Sequence, residues 1–150
     1  MDRIDREILR LLQEDASRSN AQLADAIGLA PSSCLRRVQR LKKTGVIERV
    51  TAILNPGKVD RRLQAIVNVE LERHGEVAQR AFLRLAAAEP AVMQAYGVTG
   101  QTDVVLILRL TDMEEFAAIS ERLFEEASNV ARYYTMMVLK VGKESNVLSL

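Results

Sequence analysis

Residues 22–43 read as a helix, a tight turn and a second helix, and that unit limits what the rest of the chain can be. Gln22 to Ile27 makes the first helix, Gly28-Leu29-Ala30 the turn, and Pro31 to Lys43 the second helix. Gly28 stands where the first helix must stop, because glycine accepts the left-handed cap conformation. Pro31 stands where the second should begin, with its φ already set and its missing N–H not needed. The second helix carries Arg36, Arg37, Arg40, Lys42 and Lys43 and no acidic residue. Leu35, Val38 and Leu41 recur at helical spacing and are expected to face inward. That leaves Ser32, Ser33, Arg36, Arg37 and Arg40 facing outward. A short helix with a polar, arginine-rich outer face just after a glycine turn is what a major-groove reader requires. The bland alternative is a helical hairpin with a solvated basic face.

Charge is divided along the chain. Residues 1–60 hold eleven Lys/Arg against eight Asp/Glu, and residues 61–150 hold ten against twelve. A basic front and an acidic back fit a nucleic-acid module joined to a second unit. The single cysteine, Cys34, excludes an internal disulfide. Met1-Asp2-Arg3-Ile4-Asp5 does not resemble an apolar signal segment. No run approaches the roughly 18 apolar residues of a membrane span. No membrane partner and a cytoplasmic location are therefore expected.

Asp2 to Asp15 reads as a helix, with Ile4, Ile8, Leu11 and Leu12 as its apolar stripe. Ser19 and Gln22 have capping-box spacing, with Asn20 as the alternative cap. Thr44-Gly45 closes the basic helix. Val46 to Leu54 is partly alternating and β-branched, so two short strands or one bent strand are expected there, as a wing. Arg49 falls in this segment and has either a phosphate or only water to face. Asn55-Pro56-Gly57-Lys58 is a turn by composition. The expected division is a DNA-binding domain over 1–54, a linker over 55–62 and a second domain over 63–150.

The second part changes period. Leu63, Ala65, Val67, Val69 and Leu71 alternate with more polar positions, as in a strand. Glu76 to Ala88 is helical, with Ala78, Phe82 and Leu85 on one face. Glu89-Pro90 ends it. Val92 to Val98 and Val104 to Leu110 form a hairpin around the glycine-punctuated turn Gly97 to Asp103. Thr111 or Asp112 caps a further helix with Phe116, Ile119 and Leu123 inside, and Arg132 to Val141 is a fourth strand. The order β-α-β-β-α-β is the ferredoxin-like pattern. The fold class is therefore α+β: an N-terminal winged helix-turn-helix followed by a ferredoxin-like domain. Two helices cover only one face of such a sheet, and a second subunit is the simplest cover for the other.

Little here suits catalysis. His74 is the only histidine and is far in sequence from Cys34. One Cys and one His make neither a zinc site nor, in separate domains, a nucleophilic pair. No enzyme activity, metal or cofactor is expected. The turn from Gly97 to Asp103 is the ligand candidate. Its glycines let backbone N–H groups come close to a ligand, Thr99 offers a hydroxyl, and Asp103 offers a carboxylate to an ammonium group. The alternative is a hairpin loop whose glycines serve its geometry alone.

The chain resembles the leucine-responsive regulatory protein/AsnC (Lrp/AsnC) family of transcriptional regulators over essentially its whole length. The resemblance rests on Ile4-Asp5-Arg6-Glu7-Ile8-Leu9, Leu23-Ala24 to Gly28-Leu29, and Cys34 to Leu41. It continues through Gly45-Val46-Ile47, Asn55-Pro56, the Gly97 to Asp103 turn and the closing strand. It implies homodimers paired through C-terminal sheets, often assembled to octamers, that bend or wrap double-stranded DNA at the nucleoid. It also implies small effectors, mostly amino acids, bound between neighbouring dimers, with Gly97, Thr99, Gly100 and Asp103 contributing to the pocket.

Two positions depart from the family's pattern. Ala30 stands where relatives often have serine before the proline, a loss worth ~1 kcal/mol of capping unless Ser32 or Ser33 compensates. Ser33 stands where proline or alanine is common. The segment Lys143 to Leu150 also differs from the tails of relatives. The expected roles are Ser32, Ser33, Arg36 and Arg37 at base edges, with Arg40, Lys43 and Arg49 at phosphates. The competing readings are an enzyme on the second half, a metal- or redox-sensing repressor, and an architectural DNA-binding protein that needs no effector.

Overall fold

The computed structural model describes residues 1–126 and 129–150. The chain divides into two compact units, one made of Met1–Ile53 with Lys143–Leu150, the other of Leu54–Gly142. The last eight residues thus lie with the first unit, not with the second as expected from the sequence. Leu148 is held there through its backbone. Its carbonyl accepts from Gln13 Nε2 at 3.1 Å, and its N–H donates to Gln13 Oε1 at 2.7 Å.

The first unit has three helices: α1 (Arg3–Glu14), α2 (Asn20–Ala26) and α3 (Pro31–Lys43). Capping boxes at both α1 and α2 satisfy their orphan N–H groups, Asp2 with Asp5 and Ser19 with Gln22. Asn20 is not the cap. Its side chain donates to the Pro31 carbonyl at 2.8 Å and fixes the start of α3. Gly28 and Gly45 both have positive φ, +67° and +75°, at the ends of α2 and α3. Ala30 caps α3 with no side-chain bond, and neither Ser32 nor Ser33 supplies one.

The core of this unit is built from Ile8, Leu9, Leu11, Leu23, Ala24, Cys34 and Leu41. Leu35 is 45 % exposed, against the inward position expected for it. Cys34, Val38 and Leu41 form the inward stripe instead, because the small apolar thiol fits between α1 and α2 and puts Leu35 one position past the buried face. The wing strands are also absent. Residues 48–55 are neither helix nor strand. The first unit contains no other strand to pair with them, and an unpaired strand leaves its ladder groups unsatisfied.

The second unit follows the order β1 (Leu63–Leu71), α4 (Glu76–Ala87), β2 (Val92–Gly97), β3 (Val104–Leu110), α5 (Met113–Ser120) and β4 (Val130–Met137). A π-helical turn, Glu121–Glu126, continues α5. The four strands form one antiparallel sheet in the order β2-β3-β1-β4. Ala65, Val67, Val69, Leu71, Val104, Leu106, Leu108 and Leu110 alternate onto one face and bury against Phe82, Ala86, Ile119, Leu123 and Phe124. Ala86 takes the inward place expected for Leu85, which is exposed. Asp112, not Thr111, caps α5 by accepting from the Glu115 N–H. The fourth strand ends at Met137, short of the expected Val141. The opposite sheet face carries Ile66, Val105, Ile107, Tyr134 and Met136, and among the described residues no helix lies over it.

Candidate nucleic-acid interface and ligand loop

Helix α3 presents two different kinds of polar residue. Ser32, Arg36, Gln39, Arg40 and Lys43 are exposed, whereas Ser33 and Arg37 are half-buried. Arg37 does not point outward as expected. Its Nη1 donates to Asp2 Oδ2 at 2.7 Å and to Asp5 Oδ1 at 2.8 Å. Arg40 Nη2 donates to the other Asp5 oxygen at 2.6 Å. Asp5 itself is only 1 % exposed. A buried carboxylate is tolerated only when paired and hydrogen-bonded, and here each oxygen has a guanidinium partner. Asp5 Oδ2 also accepts from the Asp2 N–H at 3.0 Å. Burial pushes the Asp5 pKa up, but the Asp2 N–H, Arg37 and Arg40 outweigh it and hold the carboxyl below its ordinary range. The network fastens the middle of α3 to the start of α1. The arginines are visible in the sequence, but their partner Asp5 lies 32 and 35 residues away and is not. Arg49 is exposed in the segment without regular structure.

The loop from Gly97 to Asp103 is fixed from beneath. Asp103 donates its N–H to the Val69 carbonyl at 2.9 Å, and its carbonyl accepts from Val98 N at 3.0 Å. Its Oδ2 accepts from Leu71 N at 2.8 Å, while Oδ1 lies 3.3 Å from His74 Nδ1. The Asp103 carboxylate is therefore engaged within the loop, which the sequence reading did not foresee. Gln79, from α4, donates to the carbonyls of Asp103 at 2.8 Å and Val98 at 3.4 Å. Gly97 lies so close to it that a Cβ would fall 2.8 Å from the Gln79 side chain. Gly97, Thr99 and Gly100 are exposed, and Gly100 has φ of +116°. His74 is exposed, in a connection clipped by Asn129, whose side chain bonds both backbone groups of Arg73. Neither His74 nor Gln79 is marked by sequence as part of the candidate site. The only available signal was their placement on either side of a glycine at the start of α4. Among the described residues no group of three or more His, Cys, Asp or Glu is placed to hold a metal ion.

Residues 1–48 match the family described as winged helix-turn-helix DNA-binding, and residues 64–148 match the Lrp/AsnC ligand binding domain. The chain belongs to the Lrp/AsnC family. It is a DNA-binding transcriptional regulator of that type. It is 33 % identical to the leucine-responsive regulatory protein of Escherichia coli K12, across 99 % of this chain and 90 % of that protein. The structure superimposes on an AsnC family transcriptional regulator from Agrobacterium tumefaciens with a TM-score of 0.93 at 30 % identity, covering 99 % of this chain and 97 % of the other. A transcriptional regulator from Neisseria meningitidis, solved as a complex with L-Met, gives 0.88 at 32 % identity, with 99 % and 96 % covered. These Lrp/AsnC relatives are described as regulators, not enzymes. Among the described residues no helix is long and apolar enough to cross a membrane.

Proposed function

We propose that this Lrp/AsnC-type chain is a sequence-specific regulator whose DNA binding or assembly responds to a small amino acid or a related metabolite. It acts at the nucleoid as a homodimer that assembles further, to an octamer. The observation that carries this reading is the loop from Gly97 to Asp103. Its base is pinned by Gln79, Leu71 and His74, while Gly97, Thr99 and Gly100 stand exposed above it. Such a loop offers backbone groups and a hydroxyl in fixed positions, which suits a small polar ligand. An ammonium group at Asp103 Oδ1 would share that oxygen with His74. The relative bound to L-Met supports an amino acid as the ligand class. An effector acts only if it prefers one state of the protein over another. A pocket completed by a neighbouring subunit provides that preference, because the full set of contacts exists only in the assembly.

Thermal denaturation of the full chain with each common amino acid near millimolar tests the reading. A ligand at a hundredfold excess over its Kd raises stability by about 2.7 kcal/mol. A shift with one or a few amino acids, lost in Thr99→Ala, supports the loop as the site. No shift with any of them, together with tight DNA binding, favours an architectural protein that needs no effector. The engaged Asp103 carboxylate favours that second reading, since it gives the loop's geometry a purpose without a ligand.

A further inference from the structure

We infer that this protein reads DNA sequence with Ser32, Leu35, Arg36 and Gln39, and that Arg37 and Arg40 are positioning residues held for that purpose by the buried Asp5. The inference rests on α3 being the DNA reader. At 3.6 residues per turn, positions 32, 35, 36, 39 and 43 share one face of a helix. All five are exposed in the structure. The face therefore offers a hydroxyl, an isobutyl group, a guanidinium, a carboxamide and an ammonium group in succession. These chemistries match the major-groove code. Arginine fits the two acceptors of guanine, a carboxamide fits the donor and acceptor of adenine, and an apolar group fits the thymine methyl. Leu35 is a large apolar side chain left 45 % exposed on a helix whose buried stripe is completed by Cys34. Contact with a thymine methyl gives that exposure a use.

Arg37 lies on the flank between this face and the core. Its Nη1 bridges Asp2 and Asp5, and moving it to a base edge would leave the Asp5 carboxylate, 1 % exposed, with one guanidinium fewer. Uncompensated buried charge is strongly unfavourable. Arg40 is more exposed, but it is committed to the second Asp5 oxygen in the same way. The pair of arginines thus sets the rotation of α3 about its own axis, and with it which residues face the groove.

The test uses the full chain, the duplex it selects from a randomised pool, and a shuffled duplex of the same composition. Affinities are measured by fluorescence anisotropy at a temperature where circular dichroism shows each variant folded. Arg36→Ala and Gln39→Ala should each leave the melting temperature unchanged and lose about tenfold discrimination at one base pair. Leu35→Ala should relax preference at a thymine. Asp5→Asn and Arg37→Ala should lower the melting temperature and weaken the selected duplex more than the shuffled one, flattening preference across all the base pairs the face reads rather than at one. Because one nitrogen makes both Arg37 contacts, Arg37→Lys should restore much of the affinity and select the same sequence.

An Arg37→Ala variant of unchanged melting temperature that relaxes a single base pair would overturn the assignment of Arg37. Folded Asp5→Asn binding both duplexes as tightly as the parent would reduce the network to a purely stabilising one and overturn its positioning role. Gln39→Ala and Leu35→Ala with every base preference intact would overturn the reading face. Failure of the underlying assumption has its own signature: Arg36→Ala and Lys43→Ala would then leave both duplexes bound as before.

Discussion

The Asp2 carboxylate accepts from the backbone N–H of Asp5 and from Arg37, which bring its pKa from an ordinary 3.8 down to about 2. A carboxyl depressed in the folded state contributes stability above its unfolded pKa and loses it as pH falls through the folded value. The window is therefore between pH about 4 and about 2, and Asp5, held down in the same network, adds to it in the same direction. Melting temperatures of the parent should fall across that window. Those of Asp2→Asn should start lower and fall less, and parallel curves would show that acid sensitivity resides elsewhere.

A second residue-scale prediction concerns Gly97. Its φ is not positive, so space alone demands glycine there, and what occupies the space is Gln79. Gly97→Ala should push that side chain off the carbonyls of Asp103 and Val98, at a cost of about 1–2 kcal/mol. Gln79→Ala removes the same bonds and the obstacle together. The double variant should then be no less stable than Gly97→Ala alone, a non-additivity that denaturant titration can measure.

At the scale of elements, caps and periods were largely legible. The Ser19 and Gln22 box, Gly28 and Pro31 define α2 and α3 from local chemistry, and the structure has both helices there. What could not be read depends on partners distant in sequence. Five cations on one helix look equivalent until Asp5, on α1, distinguishes Arg37 and Arg40 from Arg36. Val46 to Leu54 has the composition of a strand, but the first unit supplies no neighbour to pair with it. The loop glycines were visible, whereas His74 and Gln79 join the site only because β1 ends, and α4 begins, beside the turn.

Ala30 is a place where the local rule is broken without compensation. It has extended backbone, φ −64° and ψ 138°, and makes no side-chain bond to the first turn of α3. Ala30→Ser should restore an acceptor for that turn and gain about 1 kcal/mol. In a unit of this size that corresponds to about 4–8 °C in melting temperature. Calorimetry would test it, and an unchanged midpoint would mean that water satisfies the first-turn N–H groups of α3 as well as a serine oxygen does.

At the scale of the whole molecule, the second unit has two layers where three would be needed to bury its sheet. Helices α4 and α5 cover one face. The other presents Ile66, Val105 and Ile107 at its centre, flanked by Tyr134 and Met136 of β4. Tyr134 stands opposite Asn68, and Met136 opposite Ile66, so both project from this uncovered face. Contiguous apolar surface on a chain of this size marks an interaction site. The proposed homodimer would set a second copy of the same sheet here, because a two-fold interface places identical patches against each other. Near the edge, Glu70 and Arg132 pair at 2.8 Å and supply charge around the apolar centre. Tyr134→Arg should therefore place a cation against the flank of that apolar centre without touching the core beneath the sheet. The expected result is a shift from dimer to monomer in sedimentation velocity at micromolar concentration, with secondary structure retained. DNA binding should weaken with it, since two reader helices on one duplex gain from effective concentration and one does not. If Tyr134→Arg stays dimeric, this face is not where the copies meet, and the exposed residues of 46–59 become the next surface to mutate.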